Sequence, residues 1–202
     1  MTLYLKDAKF LDWQSLEIKN TDLAVYQGPQ GGISFITAVP SQDKRGPKDR
    51  VLNCSNKLVT RSFGCGHHHI YSTLARGMPA PRKIPTNFPE ILEYVWWNLD
   101  KRLDLEMIEA SALASAIYCA KSGVTFVIDH HASPFAIKDA LFTIAKAFDR
   151  VGIAYKLCYE LSDRDGEGPR KEGLTETDHF LASGHQGHVG LHASFTVGDE
   201  LL

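Results

Sequence analysis

Phe63-Gly64-Cys65-Gly66-His67-His68-His69-Ile70-Tyr71-Ser72 follows a β-branched, apolar run, Lys57-Leu58-Val59-Thr60, and its reading decides the fold. If residues 63–69 close a strand, alternate side chains point to opposite faces. His67 and His69 then share one face and His68 takes the other. Two neutral imidazoles on one face can grip one divalent cation from the same side. The glycines let other backbone or a ligand come close. A solvated loop, or a structural or pH-sensitive histidine cluster, would use the same residues differently. An engineered tag does not fit an internal run of three histidines flanked by strand-like sequence. A protein-held metal usually takes about four ligands, so His-x-His supplies part of a set and the rest of the chain must decide.

With 202 residues, a formal net charge of −2 and a pI near 6.5, the chain has room for one large domain or a medium domain plus a small one. Apolar residues at 44% and charged residues at 23% fit a soluble globular protein. The near-neutral balance argues against nucleic acid or an acidic membrane surface as partner. No apolar run approaches the roughly 20 residues needed to span a bilayer. The N-terminus, Met1-Thr2-Leu3-Tyr4-Leu5-Lys6-Asp7, lacks the basic stretch and long apolar core of a signal peptide. Cys54, Cys65, Cys119 and Cys158 form no CxxC pair, which suits reduced thiols and a cytoplasmic setting. Cys65 reads as a small buried residue, not a ligand.

Residues 1–60 read as short strands and turns: Leu3–Leu5, Leu16–Ile18, Leu23–Tyr26 and Ile33–Ile36 are β-prone. They are broken by Gly28-Pro29-Gln30-Gly31-Gly32 and by a polar surface loop from Ser41 to Arg50. Beyond the histidines the pattern alternates between helix and strand. Ile91, Leu92, Val95, Trp96 and Leu99 set a helix over 88–101, and the pair Trp96-Trp97 is expected to split, one ring into the core and the other towards a neighbouring surface or pocket, with core packing favoured for each. A second helix covers 105–122 and is closed by Gly123. Val124–Asp129 reads as a buried strand ending in Asp129-His130-His131. The next helix is expected to start at Ser133 as N-cap with Pro134 in its first turn. It carries the stripe Ile137, Leu141, Ile144, Phe148 and Val151, and Gly152 ends it. Ile153–Tyr159 is a strand, a helix is expected over Leu174–Ala182, and Gly187–Ala193 is the last strand.

Such alternation implies parallel strands joined by helical crossovers, whose C-terminal ends build the site. His67 and His69, then Asp129, His130 and His131, then Glu160 and Asp163, then His192 all fall just after strands. Four strands therefore deliver ionisable groups to one rim.

These residues resemble the amidohydrolase superfamily, metal-dependent hydrolases on a (β/α)8 barrel preceded by a small β-sandwich. The likeness is strongest to the deaminase and chlorohydrolase branch, in the guanine-deaminase-like group. It rests on the run from Cys65 to Gly77 containing His67-His68-His69, on Trp96-Trp97-Asn98-Leu99-Asp100, on Ser122 to Pro134, and on Gly190-Leu191-His192-Ala193-Ser194-Phe195-Thr196. It runs from about residue 58 to residue 202. The resemblance implies a β-sandwich module at 1–58 and the first half of a TIM barrel, strands one to four, at 59–202. His67 and His69 would be ligands of one divalent metal, zinc or iron. His192 would meet the substrate or its developing tetrahedral centre, and Asp100 would hold a purine-like ring. His130 and His131 receive no role. The implied activity is hydrolytic deamination of a purine-like or other nitrogen heterocycle through a metal-activated water.

The sequence departs from the pattern in two places. Arg61-Ser62 stands where the family has Pro-Gly. The family's other ligands, from strands five, six and eight, and its catalytic glutamate have no counterparts, so the chain is expected to be the N-terminal portion of an enzyme. A half barrel with open first and fourth strands should bind metal weakly, show little activity and associate, with itself or with a second fragment. Two rival readings stay open. A dinuclear cyclic-amide hydrolase would place a lysine after the fourth strand, where His192 stands. A non-catalytic fragment or partner subunit would use its histidines to bridge to another chain.

Overall fold

A computed structural model describes residues 1–28 and 31–202 and divides the chain into two compact units, Met1–Arg61 and Ser62–Leu202. The first is a mixed β-sheet. Strand β1 (Thr2–Leu11) pairs antiparallel with β2 (Ile18–Tyr26), which pairs antiparallel with β3 (Gly32–Ile36). On its other side β1 runs parallel to β4 (Arg50–Asn53) and to β5 (Leu58–Val59). The described residues therefore form one five-stranded sheet, and the second layer of a sandwich is not seen among them. Pro29 and Gln30, in the expected break between two strands, lie outside the described residues.

The β-prone runs mark the cores of longer strands. β1 extends well past Leu5 because it absorbs a bulge between Leu5 and Ala8, where Asp7 takes φ 56° and donates its N–H to Asp22 Oδ1 at 2.7 Å. Leu16 sits in the turn before β2 with φ 59°, not in a strand. β4 was hidden at the end of the polar stretch, because a short strand paired on one edge needs no apolar alternation.

The second unit holds a four-stranded parallel sheet in the order β6 (Phe63–His68), β7 (Val124–His131), β8 (Ala154–Leu161), β9 (Gly190–Leu191). Sequential strands are spatial neighbours and each crossover carries helix, the arrangement of an α/β half-barrel. β9 is shorter than the expected Gly187–Ala193; Gly187 adds only an isolated bridge to Leu157. The first crossover contains a 3-10 turn (Ile70–Ala75), then α1 (Phe88–Ile91), a π-helical turn (Leu92–Trp96) and α2 (Trp97–Asp100), then α3 (Leu105–Lys121). Asp104 caps α3 by accepting from Met107 N–H at 2.8 Å, and Gly123, with φ 75°, turns the chain into β7.

The second crossover is α4 (Ala140–Val151), whose Leu141, Ile144 and Phe148 are fully buried under the sheet beside Ile108, Val127 and Leu157. The helix does not begin at Ser133. That hydroxyl is taken up locally, donating to the Ala136 carbonyl at 2.8 Å, and residues 133–139 form turns. The first turn of α4 is satisfied from α5 (Glu167–Ala182), whose Glu176 carboxylate accepts from Asp139 N–H at 2.9 Å and Leu141 N–H at 3.0 Å. A carboxylate at a helix N-terminus also meets the positive end of the dipole. α5 starts seven residues before the expected Leu174, because Gly168 and Pro169 sit in its first turn, where neither breaks a helix.

Glu176 is 4% exposed, so its loss leaves the buried Leu141 amide and the part-buried Asp139 amide without acceptors. Glu176→Ala should lower the unfolding free energy by about 2–4 kcal/mol in a urea titration, and Glu176→Gln by less, since the amide oxygen still accepts. Equal losses in the two variants would show that the contact with α4 is not what the residue supplies.

Candidate functional site

The C-terminal ends of β6, β7, β8 and β9 open on one cavity of about 420 Å³. His67, His69, Asp100, His130, Glu160 and His192 all line it, with Trp97 and Phe195 forming an aromatic wall. His67 and His69 do share a face: their Nε2 atoms are 3.0 Å apart and the rings meet edge to face. His68 points the other way, its Nδ1 3.8 Å from Asp129 Oδ1. Asp100 and His192, the two residues expected against a substrate, reach the same cavity from α2 and from the segment after β9.

His69 is held by its other nitrogen. Nδ1 lies 3.0 Å from the His130 carbonyl, which can only accept, so Nδ1 carries the proton and Nε2 carries a lone pair. Burial holds the His69 pKa below its ordinary value, keeping the ring neutral. His130 stacks on His69 at 5.6 Å; burial, with the neighbouring imidazoles, pushes its pKa down to about 4, and its Nε2 has no hydrogen-bond partner. His131, on the opposite face of β7, is buried in the core with its pKa pushed down to about 3 by burial, and its Nε2 lies 3.0 Å from Ser133 Oγ. Of the histidines without an expected role, His130 is therefore in the site and His131 is structural.

Asp129 is wholly buried and reinforces the motif from below. Its Oδ1 accepts the Ile70 N–H at 2.7 Å, tying the chain just after His69 to the end of β7. The adjoining 3-10 turn carries Tyr71 into the same aromatic neighbourhood, 5.8 Å from His69.

Arg164 gives no signal of its role in the sequence. It lies in the charged loop after β8, where alternating signs look like a solvated surface. Instead its guanidinium is nearly buried, 2.6 Å from Asp100 Oδ2 and 3.1 Å from Glu160 Oε1, and packs over the Trp97 ring at 5.3 Å. Burial raises the pKa of Asp100 to about 6 against the opposing pull of Arg164, and raises that of Glu160 likewise. Asp100 Oδ1 has no partner. Trp96 and Trp97 both line the cavity, where the sequence led one ring to be expected at a surface or pocket and the other in the core. The π-helical turn at 92–96 accompanies this placement, adding a residue to one turn and shifting the phase of the helix beyond it. Among the described residues no group of three or more His, Cys, Asp or Glu could hold a metal ion. No helix among them is long and apolar enough to cross a membrane.

Asp100 binds its proton more tightly in the folded chain than in the unfolded one. Its contribution to stability is therefore present below pH about 4 and is lost as pH rises to about 6, by on the order of 3 kcal/mol. Denaturation midpoints of the wild type and Asp100→Asn, measured from pH 4 to 7, should differ in slope across that window. Parallel profiles would mean that Asp100 titrates as it does in the unfolded chain.

No family model matches the chain. It is 30% identical over 132 residues to a 5-methylthioadenosine/S-adenosylhomocysteine deaminase of Pyrococcus abyssi, a match covering 65% of this chain and 28% of that protein. It is 25% identical over 208 residues to a 5'-deoxyadenosine deaminase of Methanosphaera stadtmanae, covering 100% of this chain and 44% of the relative. Among solved structures, guanine deaminase from C. acetobutylicum, with guanine bound, superposes with a TM-score of 0.73 at 15% identity, covering 100% of this chain and 48% of the other. An atrazine chlorohydrolase mutant from Arthrobacter aurescens, complexed with zinc and atraton, gives 0.67 at 16% identity over 94% and 45%. The chain spans less than half the length of each of these proteins. The likeness in sequence to these deaminases, together with the shared fold, supports an amidohydrolase-superfamily deaminase, of which the chain corresponds to a portion.

Proposed function

We propose that this chain supplies two metal ligands and part of the substrate wall of a hydrolytic deaminase acting on an amino-substituted nitrogen heterocycle. The observation that carries the reading is the convergence of His67 Nε2 and His69 Nε2, 3.0 Å apart, at a cavity shared with Asp100 and His192. Two nitrogens at 2.0–2.1 Å from one tetrahedral ion would be about 3.3 Å apart, so the pair fits a shared zinc or iron with little movement. The His69–carbonyl hydrogen bond is the kind of support that orients ligating imidazoles. Further ligands would have to come from outside the described residues. When bound, the metal supplies hydroxide at neutral pH by lowering the pKa of water from about 15.7 to about 7.

The chain's own residues have separable roles in this reading. Trp97 and Phe195 offer flat faces to a heteroaromatic ring, a shape an adenine-, guanine- or triazine-like compound would fill. Asp100 Oδ1 is free to accept from a ring or amino N–H, while its other oxygen is held by Arg164. His192 Nε2, with no hydrogen-bond partner among the described residues, is placed to meet charge developing at the reacting carbon. In this reading residues 59–202 form strands one to four of a (β/α)8 barrel, residues 1–58 form the small β-sandwich module before it, and the open edges β6 and β9 promote association.

Zinc added to the chain should bind weakly at one equivalent. His67→Ala combined with His69→Ala should abolish that binding while leaving the circular dichroism spectrum unchanged. An aminopurine or aminotriazine should quench the tryptophan emission, with affinity reduced about 10-fold in Asp100→Asn, the worth of one hydrogen bond. Zinc uptake indifferent to the double substitution would remove the metal reading and leave the non-catalytic one.

A further inference from the structure

We infer that Thr196 and Asp163 are positioning residues that hold His192 with its proton on Nδ1 and its Nε2 lone pair free for the cavity. The inference rests on the reading of His192 as a substrate-facing group and adds to it the device that sets its tautomer. His192 lies just beyond β9, a two-residue strand, so the sheet alone does little to fix the ring. Its Nδ1 is 2.7 Å from Thr196 Oγ1. Thr196 is buried at 9% exposure, and its hydroxyl donates to the Ala193 carbonyl at 3.0 Å. A hydroxyl has one proton. With that proton on the carbonyl, Oγ1 can only accept from the ring, which requires Nδ1–H.

The turn that carries Thr196 is itself pinned from the loop after β8. Asp163 N–H donates to the Thr196 carbonyl at 2.8 Å, and the Asp163 Oδ2 accepts from Gly198 N–H at 2.7 Å. The other carboxylate oxygen accepts from Arg170 Nη1 at 2.8 Å, and Arg170 Nη2 reaches Glu200 Oε2 at 3.2 Å. Asp163 therefore brackets Val197, directly after Thr196, while α5 anchors Asp163 through Arg170. The Trp97 and Phe195 rings flank the imidazole edge to face at 6.5 and 6.0 Å. Every link in this chain of contacts ends on the Nδ1 side of His192, and none touches Nε2.

Long-range proton–nitrogen NMR of the whole chain labelled with ¹⁵N-histidine reads the tautomer without needing turnover, with His192 assigned from the spectrum of His192→Gln. The wild type should show His192 protonated at Nδ1 and bare at Nε2. Thr196→Val should move the ring towards the Nε2–H form by at least 3-fold in population, Thr196→Ser should restore the wild-type pattern, and Asp163→Asn should give an intermediate shift. A wild-type His192 protonated at Nε2, or a Thr196→Val ring indistinguishable from wild type, would overturn the inference. Because the wild-type spectrum alone can do so, misfolding of a variant does not protect it. An absence of deaminase activity beside an Nδ1–H ring would count against the proposed function and leave the positioning role standing.

Discussion

Parallel pairing of β7 with β6 and β8 is the constraint on which the site depends. In a parallel ladder every strand ends on the same side, so residues just past the strand ends collect at one rim however far apart they lie in sequence. The pleat then sorts them. His130 and Glu160 turn into the cavity, while Asp129 and His131 turn into the core, as a period of two requires. His67 and His69 fall on one side of the backbone for the same reason, and Asp129 secures the point where the chain leaves β6 by accepting from Ile70.

A rim that gathers ionisable groups must also manage their desolvation. A buried carboxylate is costly unless it has a partner, and Asp100 and Glu160 share one cation in Arg164. Burial raises the pKa values of both carboxylates, and one shared cation, with acids beside it, does not bring them back to their ordinary range. The imidazoles meet the opposite pressure: burial keeps His69, His130 and His192 on the neutral side, where a ring nitrogen offers a lone pair. The same burial thus raises the carboxylate pKa values and lowers those of the imidazoles beside them.

Local signals were reliable where a single physical rule governed the outcome. The stripe on α4 at spacings of three and four buries Leu141, Ile144 and Phe148, and Gly123 takes the left-handed φ expected after α3. They misled where two rules competed. Ser133-Pro134 has the form of a helix start, yet the serine hydroxyl is used by the Ala136 carbonyl and α4 begins at Ala140. Trp96 and Trp97 carried the expectation of a split between core and pocket, and a π-helical turn accompanies the placement of both at the cavity.

What the sequence determined by itself is periodic and local: which runs are strands or helices, that they alternate, and that the outer histidines of a triplet share a face. These properties come from backbone geometry within a few residues. Tertiary structure alone decided that Arg164 meets Asp100 across 64 positions, that Glu176 caps α4, and that Thr196 and Asp163 set the ring of His192. Each of those contacts joins groups brought together by strand order and loop path. No rule of spacing reports such a meeting, because its free energy depends on burial and on a partner that the local chain does not contain.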